Sequence, residues 1–357
     1  MDIILTINLG HNLKKNGLTQ NIIFFALLLK KLNLNVLFCL NHEQSESFNK
    51  IDSIDCIDQK ELLTKKQASF LIQVGWCVSS DILKAFKYNN PSSKIVHLHY
   101  GNRMMADIES CSTDEGSMTR NEIVDEIWLS PHFEDSISYF KTFYKNENVF
   151  IAPYIWDSMY LDTQIDIASQ KGIDLFYTPG HQKYFAILEP NISVLKNCIP
   201  AIMALERVYQ KDPSFFNGAD VFCSHVISSK KYFIMLMNQL DIIKNNLVTF
   251  KGRSELFEIF GSNCNSLISH QLLCPLNYTY FECMYLGLPI VHNSIFLKEC
   301  GFYYEGYDIE EASNAVLSMN ITYDKNISEH QSAYKKLLDK HSISSLDIQA
   351  QYRKILS

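Results

Sequence analysis

Polar side chains of several kinds gather at one predicted corner of the chain, between residues 268 and 294. The pattern predicts a short strand ending at Ser269 or His270, a helix over about residues 277–286 and a second strand over residues 289–292. The residues of this corner that could contact a small polar ligand are His270, Gln271, Asn277, Tyr278 and Glu282. Imidazole, amide and carboxylate groups at a strand end and a helix start indicate a binding site.

This corner has two interpretations. In open α/β sheets, ligands bind beyond the carboxyl ends of the strands, and the amino end of a helix attracts phosphate. Glu282, one to two turns inside the helix, would then face the ligand. The alternative is an ordinary strand–helix–strand connection, in which Asn277 caps the helix and Glu282 is solvated. The pattern alone leaves both open.

Two basic side chains follow other predicted strands. The turn from Glu189 to Asn191 comes after one strand, and Lys196 falls on the helix predicted next. Arg253 follows a strand predicted over residues 247–251. An ammonium and a guanidinium suit a phosphate ligand, because their hydrogen bonds to phosphate are charge-assisted. The alternative for both side chains is solvation at the surface.

A second set of candidates lies in the first half of the chain. A strand predicted over residues 94–98 brings His97 and His99 to the same face, since side chains alternate along a strand. The loop that follows brings three polar side chains to the strand's carboxyl end: Tyr100, Asn102 and Arg103. A metal site is one interpretation of the paired histidines, but the spacing places no third ligand nearby. Local packing of both rings is the other.

The amino-terminal segment predicts a Rossmann-type start. A strand over residues 2–8, a helix over residues 20–32 and a strand over residues 36–40 form a strand–helix–strand unit. Its loop has Gly10 and Gly17 seven residues apart, so it does not match the G-x-G-x-x-G fingerprint of dinucleotide-binding proteins.

Length and composition predict two domains in a cytoplasmic protein. A chain of 357 residues exceeds the usual size of one hydrophobic core. The net charge of −7 and the lack of a basic stripe argue against nucleic-acid binding. The ten cysteines are scattered and suit reduced thiols, and no signal peptide or membrane span is predicted. We expect one domain over residues 1–155 plus 341–357 and another over residues 156–340.

Several sequence blocks, in fixed order, resemble those of a glycosyltransferase-like family. The blocks are His270-Gln271, Pro275–Tyr278, Gly287–Ser294 and Gly301–Asp308, preceded by N-G-x-x-Q-N at Asn16, Gly17, Gln20 and Asn21. The segment from about residue 145 to 310 is similar to a little-characterised, mainly bacterial family of this kind, and a weaker resemblance reaches the amino terminus. More broadly, the carboxyl-terminal half resembles the nucleotide-sugar half of GT-B glycosyltransferases.

The resemblance implies a fold, an activity and a role for each candidate. The fold would be α/β, with two Rossmann-like doubly wound parallel sheets facing across a cleft, and the carboxyl-terminal helix would cross back to the first domain. A sugar would pass from a nucleoside-diphosphate sugar to a hydroxyl of a glycan, glycolipid or protein acceptor, without a metal or any other cofactor. Peripheral contact with a membrane is compatible with this activity.

The implied donor site lies in the second domain. Lys196 and Arg253 would meet the diphosphate and Glu282 the ribose. Further donor contacts would come from Glu189, Asn191, His270, Gln271, Asn277 and Tyr278.

The implied acceptor site lies in the first domain, with His99 as the catalytic candidate. Tyr100, Asn102 and Arg103 would lie on the acceptor side, and Gly10, Asn16, Gly17 and Gln20 would form a loop at the cleft.

One departure from the resembled pattern bears on activity. Many retaining members carry a second glutamate eight residues before the helix glutamate, and this chain has Cys274 there. Two other functions stay open, the first because it can use the same two-domain fold and the second because Leu273-Cys274 lacks the carboxylate. One is a nucleotide-sugar epimerase of the same fold, and the other is a non-catalytic protein that binds a nucleotide sugar or a partner.

Overall fold

The structure is a computed structural model that describes residues 2–9, 17–113 and 123–357. Its strands are β1 Asp2–Thr6, β2 Asn35–Leu40, β3 Lys50–Ile51, β4 Ile54–Asp58, β5 Ala68–Gln73, β6 Lys94–His99, β7 Glu126–Leu129, β8 Val149–Ile151, β9 Phe185–Ile187, β10 Ala219–Val221, β11 Val248–Phe250, β12 Ser266–Ser269, β13 Ile290–His292 and β14 Phe302–Tyr303.

The α-helices that the same residues form are α1 Gly17–Lys31, α2 His42–Ser45, α3 Ser80–Asn89, α4 Arg103–Thr113, α5 Ile137–Tyr144, α6 Met159–Gln170, α7 Ile199–Lys211, α8 Lys231–Met237, α9 Asp241–Lys244, α10 Leu256–Phe260, α11 Tyr278–Tyr285, α12 Ile309–Thr322, α13 Ile327–His341 and α14 Leu346–Ile355. None of these helices combines the length and the apolar composition needed to span a bilayer.

The chain divides into two compact units, which we call unit 1 and unit 2. Unit 1 comprises Met1–Asp157 and Lys340–Ser357, and unit 2 comprises Ser158–Asp339. Each unit contains one sheet, and β3 is the only described strand that pairs antiparallel to its neighbour. The predicted α/β class with two doubly wound parallel sheets is therefore confirmed.

The sheet of unit 1 has the strand order β3-β4-β2-β1-β5-β6-β7-β8. β1 lies near its centre and is buried on both faces from its second residue on, as its apolar residues Ile3, Ile4 and Leu5 require. Helix α1 buries most of its apolar side chains and ends in Lys30 and Lys31, which suit the negative end of the helix dipole. The hairpin of β3 and β4 was not predicted from the sequence.

The last helix, α14, belongs to unit 1. The fully buried Tyr352 donates its hydroxyl hydrogen to the carbonyl oxygen of Pro153 at 2.7 Å, and its ring centroid lies 4.9 Å from that of Phe25 in α1. Ser345 caps the helix by accepting from the N–H of Ile348. The chain therefore returns to its first unit after completing the second.

The sheet of unit 2 has the order β11-β10-β9-β12-β13-β14, and all its strands are parallel. The carboxyl ends of these strands therefore lie along one edge. Near the amino end of β9, the buried Lys183 forms an ion pair with Asp324 at 2.8 Å and holds the segment after α12 against the sheet. The ion pair lies at the opposite edge of the sheet from the loops that carry the predicted donor contacts.

One local prediction in unit 2 is wrong. Lys196 does not lie on a helix, because α7 begins only at Ile199. The preceding segment is a loop in which Ser193 and Lys196 form an isolated antiparallel bridge. Asn191 closes this loop from a left-handed backbone conformation, φ 55°, with its side-chain oxygen accepting from the N–H of Cys198 at 2.8 Å.

Candidate functional site

The carboxyl edge of the unit 2 sheet gathers polar side chains from several loops. Glu189 follows β9, and His270 and Gln271 follow β12, the strand next to β9. Asn293 follows β13 on the other side, and its side-chain oxygen accepts from the N–H of Gln271 at 2.9 Å. We call this region, residues 189–198, 269–274 and 293, the donor corner.

Glu189 is the centre of the donor corner. Its buried carboxylate accepts hydrogen bonds from the Ser269 hydroxyl, the Gln271 side-chain amide and the backbone N–H of His270, the last at 3.3 Å. Burial raises the pKa of Glu189 to about 7, although these hydrogen bonds and the positive charge of Lys196 oppose the shift. Glu189 therefore joins the ends of β9 and β12, and its carboxyl group titrates near neutral pH.

His270 is held in place by two tyrosines. Its Nδ1 lies 2.9 Å from the hydroxyl of Tyr304, and the ring centroid of Tyr307 lies 4.5 Å from that of the imidazole. Burial lowers the pKa of His270 to about 4, so the ring is neutral at pH 7. The two tyrosines hold the imidazole ring, and neither of them forms a hydrogen bond with its Nε2.

Two buried polar atoms of the donor corner lack a hydrogen-bond partner in the described part of the chain. They are Nε2 of His270 and Oε1 of Gln271, on side chains that are 3% and 4% exposed. An unpaired buried polar atom costs free energy, and in native proteins such atoms commonly mark functional sites. The free imidazole nitrogen can donate to a ligand's phosphate or accept from a ligand's hydroxyl, depending on its tautomer, and the amide oxygen can accept from a hydroxyl.

Lys196 and Arg253 supply positive charge near this corner. The partly buried Lys196 hydrogen-bonds the thiol of Cys274 and opposes the upward shift that burial imposes on the pKa of that thiol. The exposed Arg253 follows β11 and opposes the same effect of burial on the pKa of Cys223, which follows β10. The structure thus places both cations at the carboxyl edge, with Lys196 at the donor corner itself.

Helix α11 carries the remaining predicted donor contacts. Asn277 caps it, with its side-chain oxygen accepting from the N–H of Thr279 at 3.2 Å, and Tyr278 is buried in the first turn. The hydroxyl of Ser294 donates to the carbonyl oxygen of Pro275 at 2.5 Å and holds the loop before the helix against the end of β13.

Glu282 differs from Glu189 in its surroundings. No described residue forms a hydrogen bond or an ion pair with its carboxylate, and burial alone raises its pKa to about 7. The side chain nevertheless keeps part of its surface accessible to solvent. A recessed carboxylate without a partner can accept hydrogen bonds from a pair of ligand hydroxyls.

The side chain of Asn191 forms hydrogen bonds with the backbone of its own loop. Its side-chain nitrogen donates to the carbonyl oxygen of Glu189 at 2.8 Å, in addition to the contact with Cys198. Both polar ends of the side chain thus shape the loop that carries Lys196. A direct contact between Asn191 and a ligand stays a prediction.

In unit 1, His97 and His99 lie side by side with ring centroids 4.2 Å apart. The Tyr144 hydroxyl lies 2.9 Å from Nδ1 of His97 and 3.4 Å from Nε2 of His99. Burial lowers the pKa of His97 to about 4, and burial with the charges of His97 and Arg103 holds the pKa of His99 well below its ordinary value. Both rings are therefore neutral at pH 7. A catalytic role of His99 stays a prediction.

The predicted acceptor-side residues begin helix α4 or lie just before it. Asn102 accepts from the N–H of Met105 at 3.1 Å and so caps α4. Arg103 forms an ion pair with Asp107 at 2.7 Å. Tyr100 lies against Tyr352 of α14, and burial raises its pKa. The sequence prediction missed α4 and placed Arg103, its first residue, in a loop, whereas Asn102 does lie in the loop before the helix.

The predicted cleft loop is only partly within the described residues. Gly10 and Asn16 lie outside them. Gly17 is exposed at the first position of α1, where its carbonyl oxygen accepts from the side chain of Asn21 at 2.9 Å. Gln20, one turn later, is buried.

Four residues in the donor corner or in contact with it were not assigned a role from the sequence: Ser269, Asn293, Tyr304 and Tyr307. Three of them stand in sequence blocks that carry the resemblance, Asn293 in Gly287–Ser294 and the two tyrosines in Gly301–Asp308. Parallel pairing of β12, β13 and β14 brings those blocks together. The order of blocks was thus the available signal in the sequence.

In the described ranges, no group of three or more His, Cys, Asp or Glu side chains is arranged to hold a metal ion.

Solved structures share the fold over nearly their whole length. TarM of S. aureus, in a complex with UDP, is 9% identical with a TM-score of 0.62 over 100% of this chain and 99% of that one. Anabaena HepE, in complex with UDP-glucose, is 12% identical with a TM-score of 0.59 and the same coverage. The pneumococcal O-GlcNAc transferase GtfA is 10% identical with a TM-score of 0.57 over 99% and 98%. The GT-B fold expected from the resemblance is therefore confirmed.

Sequence comparison adds the family. No curated protein matches the sequence significantly. A family model described as "Protein of unknown function (DUF2827)" matches residues 3–356, which is almost the entire chain. The likeness to the glycosyltransferase structures is one of fold at low identity, so it does not itself assign an activity. The chain belongs to the DUF2827 family.

Proposed function

We propose that this protein is a glycosyltransferase that binds a nucleoside-diphosphate sugar at the donor corner of unit 2. The observation that carries the proposal is the pair of buried, unpaired atoms, Nε2 of His270 and Oε1 of Gln271, beside Lys196 at the carboxyl edge of a parallel sheet. Ligands of open α/β sheets bind at this edge. The GT-B fold supports this assignment, since it is shared with structures that contain UDP or UDP-glucose.

The charges of the edge fit a diphosphate. Lys196 and Arg253 lie on loops after β9 and β11, and a diphosphate leaving group gains negative charge as the bond to the sugar breaks. Fixed cations stabilise that charge in the transition state. In the proposed reaction they do this work without a metal, and the acceptor hydroxyl attacks the anomeric carbon.

The nucleoside would contact α11. A ribose offers two neighbouring hydroxyls, which would donate to the unpartnered carboxylate of Glu282. Such hydrogen bonds favour the ionised form, so binding near pH 7 would release a proton. The acceptor, a hydroxyl of a glycan, a glycolipid or a protein, would be bound by unit 1, with the neutral His99 as the base.

Isothermal titration calorimetry with a panel of nucleoside diphosphates and their sugars tests the donor site. We expect one of them to bind, with proton release visible as a dependence of the apparent enthalpy on the buffer. Lys196→Ala should weaken the affinity at least about tenfold, because charge-assisted contacts to phosphate are strong. Lys244→Ala, which removes an exposed lysine paired with Asp241, is the control. Absence of binding to every member of the panel would refute the proposal.

Cys274 favours one alternative, a protein that binds the nucleotide sugar without transferring it. The buried thiol stands where many retaining enzymes of the resembled fold have a glutamate, and it hydrogen-bonds Lys196. This alternative predicts donor binding but no turnover with any acceptor. A nucleotide-sugar epimerase would instead convert the donor alone, so analysis of the donor after incubation without acceptor separates the three functions.

A further inference from the structure

Helix α8 of unit 2 presents apolar side chains to solvent. Tyr232 is 77% exposed, Met235 56% and Ile234 45%. Phe233 and Met237 are buried, and the Phe233 ring centroid lies 5.4 Å from that of Phe250 in β11. The helix is thus anchored on one side by packing against the sheet, and its other side offers large apolar groups that the fold does not use.

The charge of this region is opposite to that of the whole protein. Residues 221–240 contain no acidic side chain, although the chain has 39 in 357 residues and a net charge of −7. Lys230 and Lys231 stand at the start of α8, and both are exposed. Neither forms an ion pair with another residue of the described ranges. The exposed apolar groups therefore lie beside two uncompensated positive charges.

We propose that the α8 face, consisting of Lys230, Lys231, Tyr232, Ile234 and Met235, binds the surface of an anionic lipid bilayer. Tyrosine and aliphatic side chains insert at the boundary between head groups and acyl chains, and lysines beside them bind anionic head groups. The net negative charge of the protein would repel such a surface elsewhere, so the local charge also orients the molecule.

The composition of the α8 face fits a bilayer better than other anionic or apolar partners. The cores of protein interfaces are depleted in lysine, whereas two lysines adjoin the apolar groups here. Nucleic acids require several phosphate contacts, for which two lysines are too few. The inference is independent of the proposed function, because no residue of the donor corner belongs to this face.

Vesicle co-sedimentation of the full chain tests the proposal. The probes are vesicles of phosphatidylcholine alone and of phosphatidylcholine with about one third phosphatidylglycerol. We expect binding to the anionic vesicles only, and a loss of most of it at high salt, where the Debye length falls to about 3 Å. Tyr232→Ser/Met235→Ser and Lys230→Ser/Lys231→Ser should each reduce the bound fraction several-fold.

Tyr88→Ser is the matched control, since Tyr88 is an exposed tyrosine of α3 in unit 1, 85% accessible. Circular dichroism establishes that the variants fold, and titration with nucleoside diphosphates should be the same in all of them. The proposal is overturned by absence of vesicle binding, by equal binding to neutral vesicles, or by variants that bind like the unmodified chain. Self-association that only Tyr232→Ser/Met235→Ser abolishes, without vesicle binding, would also overturn it and would identify a dimer interface.

Discussion

Glu189, which is buried, and Glu282, which is partly exposed, show how hydrogen-bond partners determine the role of a recessed carboxylate. Burial raises the pKa of both to about 7. Glu189 accepts from three donors of the donor corner, whereas Glu282 has no partner among the described residues. The first carboxylate therefore stabilises the fold through its hydrogen bonds, and the second costs free energy that a ligand can recover.

Matched substitutions separate these two roles. Glu189→Met leaves the His270 N–H and the Gln271 side-chain amide without their acceptor and leaves the Ser269 hydroxyl only its contact with Tyr280, so the free energy of unfolding at pH 8 should fall by about 1–3 kcal/mol. Glu282→Met removes a partly exposed carboxylate that has no partner among the described residues, so the free energy of unfolding should rise or stay the same. Urea denaturation measures both. Equal destabilisation by the two changes would contradict this assignment of roles.

At the scale of elements, α11 depends on its amino-terminal cap. Asn277 accepts from the N–H of Thr279, and the same helix carries Glu282. Asn277→Ala should lower the free energy of unfolding by about 1 kcal/mol, as losses of such caps do. Ser79, the cap residue of α3, forms no such hydrogen bond, so Ser79→Ala is the control and should have little effect. Thermal denaturation of both variants decides the comparison.

Elements with a strong pattern were predictable from the sequence, and those that depend on distant contacts were not. Strand β1 is recognisable from its run of apolar residues. Helix α11 is recognisable from the asparagine that caps it and the glycine that follows it. The loop around Lys196 does not, because it is closed by contacts of Asn191 with Glu189 and Cys198. The chain there is apolar enough to suggest a helix, and only the tertiary arrangement shows otherwise.

The donor corner was partly predictable for a related reason. The sequence identified residues after strands, which parallel pairing must bring to one edge. It did not assign roles to Tyr304 and Asn293, because their contacts with His270 and Gln271 join strands β12, β13 and β14. Roles within a site depend on register and side-chain direction, which no local pattern encodes.

At the scale of the whole molecule, the described residues include more histidines with a lowered pKa than glutamates with a raised pKa. Burial lowers the pKa of His97, His270 and His292 to about 4, and lowers that of His99 as well. Each contributes stability that is present above its unfolded pKa of about 6.5 and is lost as the pH falls through the folded value. Glu189 and Glu282 act in the opposite direction between about pH 7 and 4.5, since their folded pKa values are raised.

The balance predicts that the protein is less stable at pH 5 than at pH 7.5, because four histidines outweigh two glutamates over nearly the same pH range. Differential scanning calorimetry should show a lower Tm at pH 5. Glu282→Gln removes one group that gains stability on acidification, so its Tm should fall more steeply between these pH values. His225→Gln, a change at an exposed histidine, should leave the slope as it is. A Tm that is constant or higher at pH 5 would mean that the histidines are not buried in their neutral form. It would also contradict the proposal that a neutral His99 acts as the base.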